Sequence, residues 1–169
     1  MNSIVLTNSL RFIILLLLQV LLLNNINFLG YINPYLYVLF LILYPFNGNQ
    51  TLFIFLSFLL GWGVDIFEDS GGINAAACLV AAYIRPALLR FSFGVSYDYQ
   101  TIKFSSTQPG SRISYVVIMV LVHHFVLFLL EFFNFAHFLL LLKKTFFSAL
   151  FTIILVFLTL ALFNRKSTR

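Results

Sequence analysis

Between Ser57 and Pro86 the chain reads SFLLGWGVDIFEDSGGINAAACLVAAYIRP. A short acidic turn with paired glycines, Asp65 to Gly72, sits between two apolar runs. Each run is long enough, with its neighbours, to cross a bilayer core of about 30 Å. The flanking sequence is just as apolar, and ionisable residues gather near the ends of the runs. No period marks a repeat, and the strict alternation of a membrane strand is absent, which argues against a β-barrel. These features predict an all-α fold: one integral membrane domain over residues 1–169, a polytopic bundle of about six transmembrane helices.

Composition supports this reading and closes others. The chain is 62% hydrophobic and 9% charged, with a mean hydropathy of +1.02, whereas a soluble domain is about half apolar and a quarter charged. The longest polar stretch, Tyr97 to Ser114, is too short to bury a core of its own. The net charge of +5 comes from basic residues at span ends, where they set orientation and meet lipid phosphate. No nucleic-acid motif is present. Cys78 is the single cysteine, which excludes an intrachain disulfide and leaves a metal site wanting other ligands. No cofactor is expected.

The expected spans are about 9–28, 34–46, 51–66, 72–90, 113–133 and 145–163. Arg11 followed by an apolar run resembles a signal peptide, but Asn24 to Asn27 replaces a cleavage site, so a retained first span is expected. Thr7, Asn8 and Ser9 are its candidate caps. Gln19, its one polar residue, should face another helix. Asn33-Pro34 suits the cap and first turn of the second span. That span is short for the bilayer and is read as thinly embedded or re-entrant. The apolar segment 136–142 could extend either neighbouring span or lie in the interface. With six spans, Arg11, Arg90, Lys103, Arg112, Arg165, Lys166 and Arg169 share one side, and Lys143, Lys144 and the acidic turn share the other. Both termini are therefore expected to be cytoplasmic.

Several residues could carry function. Gly61, Asp65 and Asp69 share one stripe of a helix, and Gly61 would admit a second helix where Asp65 points inward. Caps account for Asp69 and Ser70; Asp65, inside the apolar run, is read as part of a docking or ligand site. Asn74, Cys78, Ala81 and Arg85 form a second stripe, whose small residues suit packing. Arg85 is expected to snorkel to the inner surface beside Arg90, and Pro86 to free a carbonyl. His123 and His124 point to different sides of their helix, so interhelical hydrogen bonding is favoured over a shared metal or a proton relay. Glu131 should pair with Lys143, Lys144 or His137. No nucleophile motif is present; an intramembrane hydrolase would need Ser57 beside a histidine.

The run Gly61-Trp62-Gly63-Val64-Asp65, followed by Gly72-Ile73-Asn74-Ala75, resembles the LG-x-x-x-D … G-h-x-A pattern of the rod-shape-determining MreD family. Asn33-Pro34-Tyr35 with Pro45 further resembles the Bacteroidetes-type members. Size, span number and basic tail agree with it. The resemblance covers nearly the whole chain and implies a non-enzymatic inner-membrane subunit of the bacterial cell-elongation machinery. Its implied partners are membrane lipid and single-span MreC, and through MreC the MreB filament, RodA and a class B penicillin-binding transpeptidase. It also implies a fold related to the substrate-binding subunits of energy-coupling-factor vitamin transporters. Gly61, Asp65, Gly72 and Ala75 carry over as motif positions; Asn74 stands where the family often has histidine. A vitamin-type transport subunit, with its site between the acidic turn and Glu131, is the alternative expectation. Homo-oligomerisation is left open.

Overall fold

A computed structural model describes residues 2–28, 32–94, 104, 107–133 and 138–164. Lys103, His137, Arg165, Lys166, Arg169 and most of the polar segment after Gly94 lie outside these residues. Six α-helices are described: α1 Asn2–Leu21, α2 Val38–Leu43, α3 Gln50–Glu68, α4 Ile73–Phe93, α5 Pro109–Phe132 and α6 Phe138–Asn164. All but α2 are long and apolar enough to cross a membrane. Helices α3 to α6 pack in chain order, each on the next, and α1 leans chiefly on α3 and α2. At Gly63 an added Cβ would lie 3.0 Å from the end of the Leu16 side chain, so α1 packs closely on α3 there.

The boundaries follow local chemistry. Helix α1 starts earlier than expected, because nothing in Asn2–Ser9 breaks a helix; Thr7, Asn8 and Ser9 lie inside it and do not cap it. It ends at Leu21, before a turn containing Asn24, Asn25 and Asn27, the last with φ 42°. Asn49 caps α3 by accepting from the Leu52 N–H at 3.1 Å. Pro109 opens α5 at the position where its missing N–H does no harm. The apolar residues from Phe138 onward belong to α6.

The second segment departs most from a standard span. Its helix has only six residues and begins at Val38, not at Pro34. Asn33 does not cap it: its side chain accepts from the Asn27 N–H at 2.8 Å and donates to Asn27 Oδ1 at 3.2 Å. Pro45 stops the helix by forcing Tyr44 into an extended conformation, with ψ 140°. The segment runs antiparallel to α1, from the level of Gln19, which bonds Pro34, to the level of Arg11, which bonds Leu43. It fills the middle of the bundle: Tyr37, Val38, Leu41 and Ile42 are fully buried. Residues before α2 and at its last turn lack intrahelical partners, and in lipid such groups must be satisfied by protein.

Side chains from other helices meet that need. Gln19 Nε2 of α1 donates to the Pro34 carbonyl at 3.0 Å. Thr152 Oγ1 of α6 accepts from the Tyr35 N–H at 3.0 Å. Arg11 Nη1 donates to the Leu43 carbonyl at 3.1 Å, and Arg85 Nη2 of α4 donates to the Tyr44 carbonyl. A second backbone defect is repaired likewise. Pro86 lies inside α4 and cannot donate to the Ala82 carbonyl. Gln50 Nε2, at the start of α3, donates to that carbonyl at 2.9 Å.

This pairing yields a double-mutant cycle. Gln50→Leu should destabilise the detergent-solubilised protein by about 1 kcal/mol, through the orphaned Ala82 carbonyl. In a Pro86→Ala background, where residue 86 supplies its own N–H, the same change should be close to neutral. Thermal unfolding of the four proteins measures the coupling; equal losses in both backgrounds would contradict the repair.

Candidate functional site

The turn between α3 and α4 is built around one carboxylate. Helix α3 ends with Asp69 in the left-handed conformation, φ 53°, and α4 starts after Gly72, φ 95°. Gly71, at φ 66°, completes a turn that reverses the chain in the four residues between Glu68 and Ile73. No side chain at the N-cap position serves the first N–H groups of α4. Asp65, one turn back inside α3, does so across the hairpin. Its Oδ1 accepts from the Asn74 N–H at 2.9 Å, and its Oδ2 from the Ala75 N–H at 2.8 Å. Asn74 Nδ2, at 3.0 Å, and the Ser70 hydroxyl also donate to Oδ1. A carboxylate facing a helix N-terminus gains from the dipole as well as from charge-assisted bonds, so a 5% exposed Asp65 is held in place with no cation paired to it among the described residues.

Gly61 permits this arrangement. An added Cβ there would lie 2.5 Å from the Asn74 carbonyl oxygen and 2.7 Å from Ala75 Cα. These are backbone atoms and cannot swing aside, so any side chain at residue 61 would push α4 away and draw the α4 N–H groups off Asp65. The motif positions Gly61, Asp65, Gly72 and Ala75 therefore form one constellation, joined by Asn74, Ser70 and Glu68. The expectation that capping does not explain Asp65 is corrected: Asp65 is itself the cap of α4. Asp69 does not join it; it ends α3 and is exposed.

From this corner a buried hydrogen-bonded line runs into the bundle. Asn74 Nδ2 faces three acceptors, Asp65 Oδ1, Glu68 Oε2 at 2.8 Å and Ser70 Oγ at 3.1 Å, which sets the amide orientation. Its oxygen then accepts the Tyr37 hydroxyl at 2.8 Å. That hydroxyl has one proton, so at the 3.0 Å contact with His123 it is the histidine Nε2–H that donates. His123 Nδ1 is left bare and buried without a partner. His124 adopts the opposite tautomer. Its Nδ1–H donates to the Val120 carbonyl at 2.9 Å, and its Nε2 accepts from Thr152 Oγ1 at 3.0 Å. Thr152 in turn accepts from Tyr35 N. The two rings thus serve separate interhelical networks, in line with the expectation from their adjacency.

Arg85 is remote from this corner, about 16 Å along α4 from Asn74, and its expected snorkelling is corrected. It is 2% exposed. Its Nε donates to the Tyr115 hydroxyl at 2.9 Å and its Nη2 to the Tyr44 carbonyl. The guanidinium lies 4.7 Å from the Phe53 ring centre and 5.5 Å from that of Phe46. A weakly hydrated, planar cation suits such an aromatic setting better than an ammonium would. Tethered to a carbonyl of the broken second segment, it cannot reach outward beside Arg90. The remaining pair, Glu131 with Lys144, forms at 2.8 Å, as expected for one of its candidate partners. Ser57 Oγ is buried without a hydrogen-bond partner among the described residues and pairs with neither His123 nor His124.

Two grooves, of about 410 and 470 Å³, flank α1. Neither touches Asp65, Glu68 or Glu131, where the transport alternative would place its ligand. No protein-family model, curated protein or solved structure matches this chain.

Tyr37, Gln50 and Thr152 were not singled out in the sequence. Thr152 and Gln50 carried a signal, as polar side chains within or bordering apolar runs. Pro86 predicted that a donor for Ala82 must exist, without naming it. Tyr37 gave no signal, since tyrosines in membrane chains are common at interfaces.

Gly61→Ala should destabilise the protein by about 2–3 kcal/mol, as overpacking against backbone does. Asp65→Asn places an amide N–H against a helix N–H and should lose about 2–4 kcal/mol. Together they should lose less than the sum, because both act on one contact. Unfolding midpoints in detergent would measure this; strict additivity would separate the glycine from the carboxylate.

Proposed function

We propose that this chain is a non-catalytic, multi-pass subunit of a bacterial inner membrane that docks a single-span partner of the MreC kind. Through that partner it would support the cell-elongation complex with MreB, RodA and a class B penicillin-binding transpeptidase, and so regulate peptidoglycan synthesis and cell shape. The observation that carries this reading is what the motif positions do. Gly61, Asp65, Gly72 and Ala75, on which the resemblance to MreD rests, join α3 to α4 at one end of the hairpin, and Gln50 joins them near the other. A hairpin pinned at both ends is a stiff platform. Its lipid-facing side carries Phe55, Trp62 and Ile66 on α3, at helical spacing, and Tyr83 on α4, each more than half exposed. A partner helix meeting that band gains packing contacts, the main source of association between helices in lipid.

In this reading the second segment crosses the bilayer as a sixth, half-unwound span. Both termini then lie on the cytoplasmic side with Arg11, Arg90 and Arg112, and the acidic turn faces outward. The motif residues act by holding the platform's shape, and the aromatic band makes the contact.

The two roles separate by mutation. Trp62→Ala with Tyr83→Ala should leave the unfolding midpoint nearly unchanged. It should reduce co-purification of the MreC-like protein roughly ten-fold or more, as loss of aromatic anchors does, and round the cells. Normal rods and intact co-purification would refute the docking face. A tightly held small molecule in purified protein, together with an ATPase partner, would favour the transport subunit instead.

A further inference from the structure

The larger groove beside α1 has a feature that packing does not account for. It lies between α1, the second segment and α6, and Arg11 lines it together with Thr7 and Thr159. Arg11 is partly buried, and it lies within the α1 stretch that is long and apolar enough to cross a membrane. Both of its hydrogen bonds, to the Leu43 carbonyl and to Asn8 Oδ1, come from Nη1. Nε and Nη2 make no hydrogen bond, and Arg11 forms no ion pair with a carboxylate among the described residues. A cation held at this depth without an anion is unfavourable. The Leu43 carbonyl needs only one donor, and a neutral amide would supply it.

The groove is also graded along its length. The chain's antiparallel course puts Thr7, Arg11 and Thr159 toward one end and Leu15, Leu18 and Leu36 deeper, at the level of Gln19 and Pro34. Leu10 and Ile14, each at least half exposed, border its opening toward lipid. A site of about 470 Å³ that is cationic at its mouth and apolar below matches an amphiphile with an anionic head. Guanidinium is the side chain best suited to phosphate, offering parallel donors in one plane.

We propose that this groove is a binding site for one anionic membrane phospholipid, its phosphate on the free Nε and Nη2 edge of Arg11 and one acyl chain against Leu15, Leu18 and Leu36. Bound lipid would supply the missing counter-charge. It would also fill the gap between α1 and α6 and hold α1, the most lipid-exposed of the long helices, to the bundle.

The test uses the full chain in mild detergent, with native mass spectrometry after addition of equimolar phosphatidylglycerol and phosphatidylcholine. One phosphatidylglycerol should be retained over phosphatidylcholine by roughly five-fold, the effect of a single cation near an anionic lipid. Arg11→Gln keeps a donor for Leu43 and should abolish the preference, whereas Arg11→Lys should keep most of it. Leu18→Trp leaves the charge and fills the groove, so selective retention should be lost there too; this variant decides the matter if Arg11→Gln fails to fold. Equal retention of the two lipids by the wild type, or a preference that survives Arg11→Gln or Leu18→Trp, would overturn the proposal. Displacement of phosphatidylglycerol by substoichiometric polyprenyl phosphate would overturn it as well, by assigning the groove to a lipid-linked precursor.

Discussion

The structure depends on a requirement imposed by the solvent: in hydrocarbon, every backbone N–H and C=O needs a partner within the protein. The long helices meet it mostly within themselves, and α4, interrupted at Pro86 and capped by Asp65, does so with help from α3. The second segment does not, because its helix has only six residues and Pro45 ends it by forcing Tyr44 into an extended conformation. Its position in the middle of the bundle follows. Only there can α1, α4 and α6 each reach it with a polar side chain, and Gln19, Arg11, Arg85 and Thr152 each bind one of its backbone groups. Polar residues that look out of place along apolar runs thus become intelligible together, as the hydrogen-bond complement of one irregular strand of chain.

The same requirement, met differently, shapes the α3–α4 hairpin. A helix beginning inside a membrane protein exposes N–H groups that water would otherwise take. Here Asp65 takes two of them from a neighbouring helix, and Gly61 brings that helix close enough. The pairing resolves a tension in reading the motif. A buried carboxylate in an apolar span looks like a functional group, yet its four hydrogen bonds are all internal. A group saturated by its own fold is poorly placed to seize a ligand and well placed to fix a shape.

The buried line from Glu68 through Asn74 and Tyr37 to His123 shows how far one orientation propagates. Three acceptors set the Asn74 amide, the amide sets the Tyr37 hydroxyl, and the hydroxyl sets the histidine tautomer. Polar networks of this kind specify a unique arrangement only when nearly every member is satisfied. His123 Nδ1, at the end of this line, has no partner among the described residues. Asp65 and Arg85 are turned wholly inward, onto backbone and hydroxyl groups of neighbouring segments, whereas Arg11 lines a groove that borders lipid.

The sequence by itself determined the class of the protein, the long apolar helices and their turns, because hydropathy and the glycine, proline and asparagine positions act locally. It also indicated that Gly61 admits a helix, that Pro86 leaves a carbonyl wanting, and that the two histidines face apart. Tertiary structure alone decided who answers each want: Asp65 capping α4, Gln50 serving Ala82, Arg85 turned inward to Tyr44 instead of outward to the interface. Such pairings join residues ten to more than one hundred positions apart, and a partner's distance in three dimensions is not encoded in local spacing. The length of the second helix was misjudged for the same reason, since an unwound segment in lipid is stable only where distant side chains bind it, and those are identified only once the helices have packed.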